Sequence, residues 1–81
     1  GEGFRVELVN KSGPGEKAGV QIGDVVLKVN DQSVKDYKSF EQFVARTKAD
    51  DEVTLEIKRG DETMSLKVTV GTRPAELSLR P

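Results

Sequence analysis

Cysteine and histidine are both absent from the 81-residue chain. Without thiols there is no disulfide scaffold and no thiolate metal site, and the absence does not choose a compartment. Without imidazole, the Ser-His-Asp and Cys-His arrangements are excluded, as are histidine metal sites. Chemistry contained in this chain would have to use a Ser/Lys pair or paired carboxylates. No apolar run approaches the roughly 20 residues needed to span a bilayer. No signal peptide precedes the opening Gly1-Glu2-Gly3, so the chain reads as a domain excised from a longer parent. Thirteen Lys and Arg stand against 14 Asp and Glu, for a net charge of −1. No basic field favours nucleic acid or an anionic membrane, and the two signs are interspersed. There is no internal repeat and no low-complexity segment.

What is present suits one domain over residues 1–81. Hydrophobic residues make up 35% and charged residues 33%, which fits a thin core under a solvated surface. Phe4 to Val9 alternates imperfectly and predicts a strand. Asn10 to Gly15 is turn chemistry. Glu16-Lys17-Ala18 permits one or two helical turns, with Gly19 suited to a left-handed position just past them. Gly23-Asp24 is a second break, and Val25 to Val29 reads as a buried strand closed by the turn pair Asn30-Asp31. The spacing predicts a long helix over Tyr37 to Ala49, with Ser39 as cap and Gln42 completing a weak capping box. Val53 to Ile57 and Met64 to Val70 alternate as two strands joined by a turn at Arg59 to Glu62. Residues 3–70 form the core, and 71–81 a tail with a last short strand over Glu76 to Leu79. The order β, short α, β, long α, β, β points to an α+β fold: a small, partially open antiparallel barrel.

Several short patterns invite chemistry. Gly13-Pro14-Gly15-Glu16-Lys17-Ala18-Gly19 spells G-x-G-x-x-x-G after a strand, the outline of a dinucleotide loop. That loop needs a long helix after the glycines, and Gly23-Asp24 stops one after about one turn. Pro14 also removes an amide donor. Arg59-Gly60-Asp61 is an RGD tripeptide, read as a hairpin turn with a solvated arginine. Asn10-Lys11-Ser12 is a glycosylation sequon with weight only in a secretory host. Asp50-Asp51-Glu52 lacks the spacing of a calcium loop. No nucleophile-elbow pattern surrounds any serine, so no catalytic residue, metal ligand or cofactor is assigned. The helix face carries more. Phe40, Phe43, Val44 and Thr47 form one stripe, with Phe43 expected in the core and Phe40, Val44 and Thr47 expected to line a groove between helix and sheet edge. A strand edge beside such a groove can accept an extended peptide.

The stretch "SGPGEKAGVQIGDVVLKVNDQSV" resembles the core signature of PDZ domains, close to G-S-P-A-x-x-A-G-(L)-x-x-G-D-x-I-x-x-V-N-G-x-x-V. "VTLEIKRGDETMSLKVTV" and the following "GTRP" resemble the hairpin and exit of bacterial members. The match runs over roughly residues 3 to 74. The order resembles the circularly permuted bacterial form found in HtrA/Deg-type envelope serine proteases, and also in C-terminal processing and site-2 proteases. The resemblance implies a PDZ-like small partially open β-barrel or sandwich, capped by one short and one longer helix. It makes Ala18, Gly19, Gly23 and Asp24 a structural corner. Two departures stand out: the family's alanine after proline is Gly15, expected to weaken the short helix, and the glycine after Asn30 is Asp31.

Gly1-Glu2-Gly3-Phe4 looks like the family's carboxylate-binding loop, but counting back from Pro14 puts Gly3 to Val9 on the strand before the Gly-Pro turn. In many HtrA-type domains the carboxylate loop lies upstream of that strand, which would leave it outside this chain. In other permuted members it follows the last strand. Pro74-Ala75-Glu76-Leu77 would then be the loop, Leu77-Ser78-Leu79 the docking edge, and Arg73 a cation beside the carboxylate. The peptide-binding residues so implied are Phe40, Val44, Thr47, Arg73, Ala75, Leu77 and Leu79.

The implied function is a non-enzymatic module that binds protein C-termini or unfolded segments by β-augmentation. Its partners would be such peptides and the neighbouring protease domain or subunits, without nucleic acid, membrane insertion or cofactor. The implied parent is a periplasmic or envelope serine endopeptidase with its catalytic domain elsewhere. The alternatives are a structural domain contacting neighbouring subunits, with Ala75 to Leu79 occupying its own groove, and a Ser/Lys hydrolase.

Overall fold

The structure is a computed structural model that describes residues 3–48, 50–71 and 77–81. Its elements are β1 (Phe4–Arg5), β2 (Leu8–Val9), α1 (Pro14–Ala18), β3 (Val25–Val29), β4 (Gln32–Ser33), α2 (Tyr37–Ala45), β5 (Glu52–Arg59), β6 (Glu62–Thr69) and β7 (Leu79–Arg80). β1, β3, β5 and β6 lie side by side in a 5-stranded antiparallel sheet, with β4 paired to β3. β2 and β7 form a separate antiparallel pair. The two sheets and two helices enclose one core and close no barrel.

The expected first strand, Phe4 to Val9, is broken in two. Val6 is fully buried, and its backbone leaves the main sheet to bond the corner at Gly23-Asp24. Its N–H donates to the Asp24 carbonyl at 2.7 Å, and its carbonyl accepts from the Gly23 N–H at 2.7 Å. Phe4 and Arg5 therefore pair with β3, while Leu8 and Val9 turn away and pair with the tail. The alternation was imperfect because the segment serves two sheets.

The corner is built as its residues dictate. Gly19 ends α1 at φ 102, and Gly23 reverses the chain at φ 98; both are left-handed values that glycine reaches without steric cost. The Asp24 side chain is almost wholly buried. Its Oδ2 accepts from the Gln21 N–H at 2.9 Å, and its two oxygens take the Arg59 Nε and Nη2 at 2.8 Å each. Arg59 Nη2 also donates to the Gly19 carbonyl at 2.8 Å. The expectation of a solvated arginine in the RGD tripeptide is thus corrected: the guanidinium crosses from the β5–β6 hairpin to clamp the corner. The turn itself is as expected, with Gly60 at φ 62 and Arg59 paired to Glu62.

α2 is shorter than its periodicity suggested and is capped one turn earlier. Asp36 is the cap, its Oδ1 accepting from the Ser39 N–H at 2.9 Å and the Ser39 hydroxyl at 3.0 Å. Ser39 is the capped residue, not the cap, because a carboxylate three residues earlier offers a stronger acceptor to the helix start. At the other end Arg46 and Thr47 donate to carbonyls three residues back, tightening the last turn. Phe4 fastens α2 to the sheet, its ring 5.3 Å from Tyr37 and 4.8 Å from Phe40. Asn30 and Asp31 take left-handed φ values of 48 and 67, so aspartate serves where the family signature has glycine. Asn30 also accepts the Thr54 N–H on its side-chain oxygen at 2.8 Å, tying that turn to β5.

Hydrogen bonding from Arg59 holds the Asp24 carboxyl below its ordinary value. A carboxyl lowered on folding stabilises the fold above its unfolded pKa and loses that contribution as the pH falls through the folded value. Asp24→Asn should therefore cost about 2 kcal/mol, roughly 10 °C of melting temperature, near pH 7. The gap from wild type should narrow as the pH falls through the lowered folded value of the Asp24 carboxyl. Thermal melts of both proteins across that range would show it, and a gap that does not change with pH would contradict the assignment.

Candidate functional site

A cleft of about 440 Å³ lies between α2 and β7. One wall is the α2 face that carries Tyr37, Phe40, Glu41, Val44 and Ala45, spaced so that they line up along one side of the helix. The other wall is the tail, Leu77 to Arg80. Phe40 and Val44 are 3% exposed and Leu77 and Leu79 are 2% exposed, so these four form an apolar floor continuous with the core. Glu41 and Arg80 are exposed at the rim. Ser78 stands between the two leucines at φ 59, a twist that helps keep both neighbours directed inward.

The tail reaches this place through β2. Leu8 pairs with Arg80 and Val9 with Leu79. The Asn10 N–H donates to the Ser78 carbonyl at 3.0 Å, the Glu7 N–H to the Arg80 carbonyl at 2.9 Å, and the Gly15 N–H to the Leu77 carbonyl at 2.9 Å. In an antiparallel pair the residues alternate between facing the partner strand and facing away. Ser78 and Arg80 face β2, so by this alternation the backbone N–H and C=O of Leu79 face away from β2, on an edge that no other described strand pairs. The arrangement supplies a backbone donor and acceptor over an apolar floor.

Residues 2–70 match the sequence profile of the PDZ domain. The chain belongs to the PDZ domain family. It is 37% identical over 68 residues, 84% of its length, to a protein of Rickettsia prowazekii named "Probable periplasmic serine endoprotease DegP-like", of which it covers 13%. Its fold matches that of the structure titled "HtrA-type protease AlgW with decapeptide", with a TM-score of 0.81 and 29% identity over 98% of this chain and 22% of that one. It also matches the HtrA3 PDZ domain bound to a phage-derived ligand, FGRWV, with a TM-score of 0.75 and 25% identity over 83% of this chain and 62% of that one. The chain thus corresponds to a PDZ module occupying about an eighth of its Rickettsia relative, and its similarity is to PDZ domains of HtrA/Deg-type proteases.

Within this PDZ domain, four of the seven expected site residues converge: Phe40, Val44, Leu77 and Leu79 line the same cleft. Thr47 does not line it. Its hydroxyl donates to the Val44 carbonyl at 2.6 Å, spending the side chain on the end of α2. Arg73 and Ala75 lie outside the described residues. Phe43, expected in the core, is only half-buried and borders a different depression with Ser33, Lys35 and Arg46. The helix is rotated from the expectation, so Phe40 and Val44 supply both core and groove floor. Tyr37, Glu41 and Ala45 were missed, although they follow one another at i, i+4 and i+8 from the helix start. Arg80 was missed because the tail strand was expected to end at Leu79. No group of carboxylates suited to a metal occurs among the described residues.

The tail leucines are core residues as well as groove residues. Leu77→Ala should cost about 3 kcal/mol, since it leaves a cavity beneath the cleft. Urea unfolding would measure it, and a loss under about 0.5 kcal/mol would mean that the tail is not packed as described.

Proposed function

We propose that the PDZ domain captures extended peptides in the cleft between α2 and β7, by adding the peptide as a strand beside Leu79. The observation that carries this reading is an apolar cleft of about 440 Å³ with a strand edge along one wall that is unpaired among the described residues. Backbone bonds to Leu79 would supply affinity tolerant of sequence, and the floor of Phe40, Val44, Leu77 and Leu79 would select an apolar side chain. Leu77 to Arg80 form one wall of the cleft, and among the described residues none fills its interior, which favours peptide binding over a self-occupied scaffold. Residues 73–75 precede the docking strand in the chain, the position from which Arg73 and Ala75 would meet a terminal carboxylate.

Similarity to HtrA/Deg-type proteases supports a substrate-recruiting or regulatory role within an envelope serine protease, with periplasmic placement. The solved relatives with bound decapeptide and phage-derived ligand support peptides as the partner class.

An NMR titration with a mixed peptide library, each member tested with a free and with an amidated C-terminus, tests the reading. Shifts at Phe40, Val44 and Leu79 are expected with free C-termini and are expected to weaken on amidation. Equal shifts with both forms would mean capture of internal segments, and no shift with any peptide would sink the proposal.

A further inference from the structure

The two glycines that flank Pro14 both face the tail. A Cβ placed on Gly13 would stand 2.6 Å from the Ser78 Cβ and 2.9 Å from its Oγ. One placed on Gly15 would strike the Leu79 Cδ2 and come within 2.9 Å of the Leu79 Cγ and of the Leu77 carbonyl oxygen. Separations this short force something to move. Leu77 and Leu79 are sealed in the core and have nowhere to go.

Neither glycine is needed for its backbone. Gly13 sits at φ −79 and ψ 171, extended values open to any residue. Gly15 lies inside α1, where alanine is the better helix former. The demand at both positions is steric, and it comes from the tail. Gly15 therefore gives up helix propensity in exchange for a close approach of β7.

We infer that Gly13 and Gly15 are positioning residues of the peptide cleft. By lacking a Cβ they let the tail close on β2 and on the start of α1. In that seat the Ser78 and Leu77 carbonyls accept from Asn10 and Gly15, and Leu79 is left with its backbone groups toward the cleft. The glycines do not touch the peptide; they set the wall it pairs with. The inference rests on the peptide reading above, and it makes α1 and the cleft share one strand.

The test compares wild type, Gly13→Ala, Gly15→Ala and the double variant Gly13→Ala with Ser78→Gly. Ser78→Gly removes the two nearest atoms that the new Cβ would meet and leaves the Asn10 carbonyl oxygen at 3.2 Å, and glycine adopts the φ of 59 freely. Amide hydrogen exchange is read at Glu7, Asn10 and Gly15, together with affinity for the pentapeptide FGRWV and for the peptide library. Gly13→Ala should lose protection at Asn10 and weaken peptide binding by about tenfold. Gly15→Ala should do the same at position 15 and at Glu7. The double variant should regain both protection and affinity.

Unchanged protection at Asn10 in Gly13→Ala would overturn the seat. Lost protection with unchanged peptide affinity would overturn its link to the cleft. If Gly13→Ala does not fold, a folded double variant with Asn10 protected supports the seat, and a double variant equally unfolded refutes it. A wild-type domain that binds no peptide contradicts the function proposed above, and the exchange data then still decide whether the glycines seat the tail.

Discussion

A two-pronged contact between the Arg59 guanidinium and the buried Asp24 carboxylate ties two distant parts of the chain together. One prong also reaches the Gly19 carbonyl, so the whole corner from Gly19 to Asp24 is pinned to the end of β5. A carboxylate with so little access to water is tolerable only because each oxygen is matched to a donor, including the Gln21 N–H. The corner in turn fixes Val6 by two backbone bonds, and that fixing splits the first strand. Once split, β2 is free of the main sheet and available to the tail. The ion pair is thus the first step in a mechanical sequence that ends at the wall of the cleft.

The cleft follows from the pairing of β2 with the tail strand β7. Backbone bonds from Glu7, Asn10 and Gly15 hold it, and two leucines anchor it in the core. The same leucines complete the floor begun by Phe40 and Val44. Core and cleft are therefore not separable here, because the side chains that close the core from one side line the cleft from the other. Residues that bind by backbone edge and apolar floor leave little chemical signature, unlike a metal site or a catalytic pair.

Much of the fold was legible because its determinants are local. The corner glycines, the turn at Asn30-Asp31 and the β5–β6 hairpin are set by residues within a few positions of one another. The helix cap was misplaced because Ser39 and Asp36 compete, and the carboxylate wins. The role of Arg59 was not legible, since its partner lies 35 residues away and the RGD context suggests a free turn. Phe40 joined the core as well as the groove, and Phe43 stayed at the core's margin, because a helical stripe gives a face but not its rotation against a sheet. Gly15 read as a weak helix residue, and only the position of Leu79 reveals what the missing Cβ makes room for.

The central claim is that the tail strand is the edge on which a peptide docks. The most direct measurement is the set of intermolecular NOEs between a bound, unlabelled peptide and the ¹⁵N,¹³C-labelled domain. Contacts from peptide backbone protons to the Leu79 amide, with side-chain contacts to Phe40 and Val44, are the predicted result. Contacts instead along the outer edge of β6, or around Val9 and Ile22, would contradict the claim and move the binding surface to another face of the domain.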